Sequence, residues 1–205
     1  MIVHRELSIH LVVSDNSRQL DRFIDYLQQM PHVRVALGSG LLHAMDSCDA
    51  VISVGGRACQ QCEAQLSPFV QKGGGWLVLN HLENESLPAL VGVQPEVVGP
   101  ESELRVLFEN PEHPLSARLP DAYYLQGRCQ SLSIQEPDTE TILYADWHYR
   151  HIPVMTTRLS GKGRVACTTL QHYGHIHFRQ ILYRTLCWLA GRSFTDKELL
   201  SLIHI

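Results

Sequence analysis

The segment QKGGGWLVLNHLE, Gln71–Glu83, decides the fold prediction. Three glycines end one element, the apolar run Trp76–Leu79 follows, and the run closes on Asn80 and His81. A short continuous apolar run between turn signals is typical of a strand buried on both faces, as in the centre of a parallel sheet. Ligands bind beyond the carboxyl ends of such strands, so Asn80, His81 and Glu83 are predicted to face a ligand crevice. The alternative interpretation is that His81 only ends the strand.

Strand and helix patterns alternate through the first third of the chain. The predicted strands are Leu7–Val13, His32–Leu37, Ala50–Val54 and Trp76–Leu79. The predicted helices are Arg18–Met30, a brief piece containing Leu41, Leu42 and Met45, and a helix over about Gln60–Gln71. This alternation favours a parallel sheet with helices on both faces.

The rest of the chain is predicted to complete one domain over residues 1–205. The proline-rich middle predicts short extra strands inserted into the sheet, at Leu104–Phe108, Ser131–Ile134 and Thr141–Tyr144. A glycine turn, Ser160–Gly163, predicts a hairpin between Pro153–Arg158 and Arg164–Leu170. The last predicted elements are a helix from His177 to Ala190, ended by Gly191, and a short helical extension within residues 193–205 that starts at Ser193 or Thr195.

Composition excludes several classes of function. The chain has 205 residues, 44% of them hydrophobic, and a formal net charge of -4, with no basic cluster that indicates nucleic-acid binding. It contains neither a secretory signal pattern nor an apolar stretch of the roughly 20 residues that span a bilayer. We therefore expect a cytoplasmic protein with reduced cysteines and no membrane partner. A homodimer is expected only on general frequency.

Several motifs, in order, resemble a known family. GGGWLVLNH, HPLSARLPDAYY, PVMTTRLSGKGRVACTTLQH and a helix ending CWLAGR are similar to the trehalose-utilisation (ThuA-like) family. The resemblance implies a class I glutamine-amidotransferase-like fold, which is a flavodoxin-like three-layer α/β sandwich with a mostly parallel central sheet and helices on both faces. It also implies a link to carbohydrate metabolism. His81 and His172 fall on the family's strand-end histidines, His113 on its His-Pro, and Tyr123 or Tyr124 on its tyrosine.

The chain departs from the family pattern at a few positions. Asn80 and Gln171 replace usual glycines, Ala122 replaces an acidic residue, and a glycine loop is reduced to Leu90–Val93. These changes favour a catalytically silent binding or assembly subunit, whereas the two retained histidines favour an active site. Glutamine hydrolysis is excluded because the elbow after the central strand, Asn80-His81-Leu82, has no thiol to form the covalent thioester.

His81 and His172 are the predicted catalytic residues. An imidazole titrates near neutral pH, so either residue could exchange a proton with a sugar hydroxyl or carbonyl, oriented by Glu83 or Asp15. The alternative is that each is a hydrogen-bonded residue at a strand end. The predicted partner is a small carbohydrate-like ligand, and its binding residues are Asp15, Asn16, Gly55, Gly56, Asn80, Glu83, Tyr124 and His175.

Two further motifs are interpreted without a cofactor. His172, His175 and His177 invite a transition metal, although the run contains no carboxylate and no metal is predicted. Cys59 and Cys62 have the spacing of a redox pair, but the Gln-Gln between them favours a packing helix. No nucleotide-binding glycine pattern is present.

Overall fold

The computed structural model describes residues 6–13, 18–38, 41, 45–82, 84–147 and 149–202. The strands are β1 Leu7–Val13, β2 Val33–Leu37, β3 Ala50–Val54, β4 Gly75–Leu79, β5 Val93–Phe108, β6 Ala122–Ile134, β7 Thr139–Trp147, β8 Arg150–Ser160 and β9 Gly163–Thr168. The helices are α1 Arg18–Gln29, α2 Gly56–Gln71, α3 Ile176–Leu189 and α4 Asp196–Ser201, with a 3-10 turn at Ala89–Val91. None of these helices is long and apolar enough to cross a membrane.

The nine strands of the described residues form one mixed sheet in the order β2-β1-β3-β4-β9-β8-β7-β5-β6. The four pairings from β2 to β9 are parallel. The four pairings from β9 to β6 are antiparallel. The α/β class is confirmed, but the expected mostly parallel, flavodoxin-like sheet is not, because the middle of the chain adds an antiparallel half instead of a few short strands.

β5 is longer than the sequence predicts, because it contains prolines that normally indicate turns. Pro95 and Pro100 lie within this strand, and its register against β6 shifts on both sides of Val98. Only Arg105–Phe108 of β5 also pair with β7. The prolines therefore lie where the strand has a neighbour on one side, and there a missing N–H breaks no second ladder.

Helices cover both faces of the parallel half, as predicted. Ile52 belongs to the core cluster that includes apolar residues of α1 and α3, whereas its neighbour Val51 belongs to the cluster that includes those of α2. Successive residues of a strand point to opposite faces, so a strand covered on both faces is apolar at nearly every position. All five residues of β3 and all five of β4 are buried.

The central strand begins at Gly75, one residue earlier than predicted. A β-carbon at this position would lie 2.6 Å from the Cβ of Leu189. The glycine therefore belongs to the strand and permits the end of α3 to pack directly against it.

Gly163, at the start of β9, tests this close packing. An added β-carbon would overlap the backbone oxygens of Val70 and Gly74, which cannot move independently of α2 and the central strand. We expect Gly163→Ala to lower the free energy of unfolding by about 3 kcal/mol, measured by urea denaturation. The exposed neighbour Lys162 supplies the control, since Lys162→Ala should change stability by no more than about 0.5 kcal/mol. Equal effects of the two substitutions would contradict this packing argument.

Candidate functional site

The candidate site lies at the carboxyl ends of β4 and β9. These strands are adjacent and parallel, with Leu79 opposite Thr168. The backbone N–H of Asn80 donates to the carbonyl of Thr168 at 3.0 Å, which extends the pairing beyond the strand end. The predicted arrangement, in which the strands that carry His81 and His172 run side by side in one direction, is confirmed. We call this edge of the sheet the rim.

The β5–β6 hairpin covers part of the rim through a buried amide network. Gln130 Oε1 accepts from Asn80 Nδ2 at 2.8 Å, and Gln130 Nε2 donates to Asn84 Oδ1 at 3.0 Å and to the Glu96 carbonyl at 2.7 Å. The hydroxyl of Thr169 donates to the Gln130 carbonyl at 2.7 Å. Asn80 and Gln130 are both 0% exposed. Asn80, predicted to bind a ligand, therefore holds the cover in place.

His81 is engaged with a buried tyrosine. Its Nε2 lies 2.7 Å from the hydroxyl of Tyr173, and the Tyr173 ring packs against Phe23 with ring centroids 4.5 Å apart. Burial lowers the pKa of His81 to about 4 and raises the pKa of Tyr173 above its ordinary value. Both side chains are therefore neutral at pH 7. A base with so low a pKa accepts a proton poorly, so His81 is suited to hold Tyr173 and the turn after β4.

His172 lies against the backbone of β6. Its Nε2 is 3.2 Å from the carbonyl oxygen of Gln126, and a β-carbon on Gly127 would lie 2.8 Å from the same nitrogen. Burial lowers the pKa of His172, and the hydrogen bond to Gln126 partly offsets this effect. The approach of the ring depends on the absence of a side chain at position 127.

A cavity of about 290 Å³ opens beside His172. It is lined by Leu82, Glu101, Gly127, Arg128, Gln171 and His172. Leu82 has a φ of 57°, unusual for a leucine, and its N–H donates to the Asn80 carbonyl at 2.9 Å in the tight turn after β4. The cavity thus presents a carboxylate, a guanidinium, an amide and an imidazole. His172 lines it, whereas His81 faces Tyr173.

A cluster of aromatic rings joins β6 to the start of α3. Tyr123 stacks on His175 with ring centroids 5.5 Å apart and an interplanar angle of 26°, and its ring also lies 6.0 Å from that of His177. Tyr124, the predicted ligand-binding residue, is 59% exposed and lies outside this cluster. Its neighbours on β6, Tyr123 and Leu125, are both buried. Because side chains alternate between the two faces of a strand, Tyr124 points to the exposed face, and this alternation distinguishes the two tyrosines.

The two glycines after β3 pack against the chain itself. The N–H of Gly55 donates to the Leu79 carbonyl at 2.9 Å. A β-carbon on Gly56 would lie 2.8 Å from Cβ of Glu85, in the loop after β4. This predicted binding turn therefore supports the loop that follows β4. Three other predicted site residues, Asp15, Asn16 and Glu83, lie outside the described residues.

Comparison with known proteins gives the fold. No family model matches the chain, and no curated protein matches it. A solved structure from Bacteroides uniformis, described as a ThuA-like protein, has 12% identity and a TM-score of 0.72, with 98% of each chain covered. Another ThuA-like protein, from Parabacteroides merdae, has 14% identity and a TM-score of 0.70, covering 94% of this chain and 93% of that one.

This chain has the ThuA-like fold. The resemblance inferred from the motifs is confirmed at this level. A Thermoplasma acidophilum protein that is described as a GMP synthase subunit is also similar, with 10% identity, a TM-score of 0.60, and coverage of 92% of this chain and 96% of that chain. Identities this low establish the architecture and leave the chemistry to the residues of this chain.

The cysteines of this chain are free, and all except the half-buried Cys48 are buried. Cys59 and Cys62 lie in the core cluster under α2, and Sγ of Cys59 is 3.1 Å from the Ser53 hydroxyl, so the packing interpretation of this pair is confirmed. Burial raises the pKa of Cys167 well above its ordinary value and that of Cys129 to about 12. Among the described residues, no three His, Cys, Asp or Glu side chains are placed to hold a metal ion.

Two larger cavities lie at the opposite edge of the sheet. One of about 780 Å³ includes Asp49 and Gly74, which precede β3 and β4, and its single thiol, Cys48, has a pKa raised to about 11 by burial and by Asp49. The other, of about 490 Å³, contains Arg158, whose guanidinium lies 2.9 Å from the Asp138 carboxylate. Both the 490 Å³ cavity, through His113, and the rim cavity, through His172, contain an imidazole. The rim cavity is therefore selected neither by size nor by its histidine but by its position at the carboxyl ends of the parallel strands.

The amide network of Asn80 and Gln130 can be tested by a double-mutant cycle. Asn80→Leu and Gln130→Leu each leave a buried polar partner unsatisfied, so each should cost about 2 kcal/mol of unfolding free energy. Together they remove both amides, and the double variant should be more stable than the summed costs predict, by about 1 kcal/mol or more, in urea denaturation. Strictly additive costs would show that the two amides do not interact.

The pH dependence of His81 provides a separate test. Above pH 6.5, its ordinary pKa, the imidazole is neutral in the folded and unfolded states and contributes nothing to the dependence. Between pH 6.5 and about 4, only the unfolded state takes up the proton, so stability should fall as the pH is lowered. The contribution should reach at most about 1.4 kcal/mol per pH unit and be absent in His81→Gln.

Unfolding measured from pH 7 to 4 in both proteins isolates this contribution, because the other histidines are common to the two. Titration of the His81 ring followed by NMR should give a midpoint near pH 4. A midpoint near 6.5 would show that the ring is not buried in solution.

Proposed function

We propose that this chain is a ThuA-like domain that binds a small polyhydroxylated molecule, a sugar or sugar derivative, in the rim cavity. The observation that carries the proposal is the set of polar groups that line this cavity at the carboxyl ends of the parallel strands. Glu101 accepts hydrogen bonds, Arg128 donates them, and Gln171 does both, which matches a ring of hydroxyl groups. The volume of about 290 Å³ is at the small end of ligand pockets and suits a compact molecule.

Any proton transfer in this site would fall to His172. Its imidazole lines the cavity, whereas His81 is hydrogen-bonded to Tyr173 at 2.7 Å and has a pKa of about 4. The proposed chemistry is acid/base catalysis by one histidine, without the covalent cysteine of an amidotransferase. The proposal keeps the sequence-based expectations of a single domain over residues 1–205, a cytoplasmic location and a homodimer.

A second function, a catalytically silent binding or assembly subunit, is favoured by a specific observation. Asn80 is 0% exposed, and His81 is hydrogen-bonded to Tyr173. Two residues of the elbow after the central strand therefore make contacts inside the protein and are not directed at a ligand. A silent assembly subunit of this kind would bind sugars neither in the cavity nor near His172, whereas a silent binding subunit would bind them without proton transfer.

Sugar binding can be measured directly with a panel of aldoses, keto-sugars and trehalose. We expect at least one compound to shift the NMR signals of His172 in a saturable manner. Arg128→Ala should weaken that binding about tenfold, since the guanidinium supplies hydrogen bonds from the cavity wall.

Arg105 provides the matched control for this substitution. It lies on β5, outside the cavity lining, and its guanidinium is 3.2 Å from the Asp146 carboxylate. Arg105→Ala should leave sugar affinity unchanged. If none of the sugars affects His172, the silent-subunit function replaces the first proposal.

A further inference from the structure

The start of α3 is unusual for the beginning of a helix. The first N–H groups of a helix have no partner within it, and a side-chain cap or an acidic residue usually compensates. Here the N-cap residue is His175, its side chain makes no capping hydrogen bond, and the first turn contains no acidic residue. The helix has 14 residues, so its N-terminal end carries the partial positive charge of a full macrodipole.

Within the described residues, the titratable groups named around this helix end are histidines and an arginine. His177 lies in the first turn, with its ring centroid 5.5 Å from that of His175. Burial lowers the pKa of His175, and so do the neighbouring charges of His177, His172 and Arg179. Among the described residues that line the rim cavity, Glu101 is the one carboxylate, and it lies opposite Arg128 in the β5–β6 register.

Buried polar atoms without partners point to a ligand at this position. Tyr123 is 3% exposed, its ring stacks on His175, and its hydroxyl has no hydrogen-bond partner within the described part of the chain. Nδ1 of His172 and Nδ1 of His175 are also buried, and neither atom has a hydrogen-bond partner within the described part of the chain. A buried hydroxyl that makes no hydrogen bond is costly, so such groups usually have a partner.

The start of α3 follows closely in the chain on His172, a residue of the rim cavity. The N–H of His175 donates to the carbonyl of His172 at 2.9 Å, so a single turn of chain separates the cavity wall from the start of α3. His172 lines the cavity, and Gly127 of the same cavity lies four residues along β6 from Tyr123. A molecule that fills the cavity can therefore extend one group toward this end of the helix.

We propose that the start of α3, with His172, His175 and the Tyr123 hydroxyl, binds an oxyanion group of the molecule in the rim cavity. This inference rests on the proposed function and narrows it, because the ligand becomes an anionic sugar derivative: a sugar acid or a sugar phosphate. Helix N-terminal amides and a phenol hydroxyl can donate to such a group. Because Nε2 of His172 already donates to the Gln126 carbonyl, Nδ1 of His172 donates to the oxyanion only when the imidazole is protonated.

Inorganic phosphate is the simplest probe for this site. Titrated into the intact protein at pH 6 to 7, it should bind in a saturable manner and raise the pKa of His172, His175 and His177, because a nearby negative charge favours the protonated imidazole. His151 is the internal control, since it lies on β8 beside Asp146, 3.0 Å away. If phosphate shifts His151 equally, or shifts none of the three, the inference is overturned.

Two adjacent tyrosines on β6 give a matched pair of variants. Tyr123→Phe keeps the ring that stacks on His175 and removes only the hydroxyl, so phosphate affinity should fall about tenfold. Tyr124→Phe removes a hydroxyl from the exposed residue next to it and should have no effect. An unchanged affinity in Tyr123→Phe, with the His151 signal intact as a sign of folding, would contradict the role of this hydroxyl.

A comparison of sugars separates the inference from the proposed function. Glucose, gluconate and glucose 6-phosphate differ in the presence and type of the anionic group. Tighter binding of gluconate or of glucose 6-phosphate than of glucose supports the inference and identifies a carboxylate or a phosphate. Equal binding of all three overturns it and leaves the proposed function intact. Phosphate binding at His175 without any sugar binding in the cavity would support the anion site and reject the proposed function.

Discussion

The parallel pairing of β4 with β9 is the constraint on which the rest of this structure depends. Leu79 lies opposite Thr168, and the N–H of Asn80 continues the ladder to the Thr168 carbonyl. Because both strands are buried on both faces, polar residues can follow only where the chain leaves the sheet. Backbone hydrogen bonds between the two strands therefore bring both histidine-bearing turns to one rim. This placement does not depend on contacts between side chains of the site.

The second determinant is the long β5–β6 hairpin, which covers part of that rim with polar contacts. Its attachment runs through Gln130, whose side chain bonds Asn80 and whose carbonyl accepts from Thr169. A buried amide that has all its partners fixes orientation as well as position, since each bond requires a particular geometry. The hairpin consequently defines the cavity wall at Gly127 and Arg128.

The features that could be predicted from the sequence are those that depend on residues close together in the chain. The fully buried runs Ala50–Val54 and Trp76–Leu79 could be predicted because a short, nearly continuous apolar run between turn signals is typical of a strand covered on both faces. Local pattern failed for β5, where Pro95 and Pro100 indicate turns unless one knows that the strand has a single neighbour there. The contact of Gln130 with Asn80 joins residues fifty positions apart in the sequence. It depends on how the hairpin folds over the rim, so it cannot be predicted from a local sequence pattern.

The same distinction explains why two histidines at equivalent strand ends differ in chemistry. Sequence reasoning treated His81 and His172 as a symmetric pair, because each follows a buried parallel strand. The structure gives His81 a buried tyrosine as its partner, and the loss of water there favours the neutral ring. His172 instead meets a backbone carbonyl beside a glycine, at the wall of an open cavity. The position of His172 also depends on the side chain absent from position 127, because a larger residue there would displace the imidazole from the cavity wall. His81, with its low pKa, could not replace it in proton transfer.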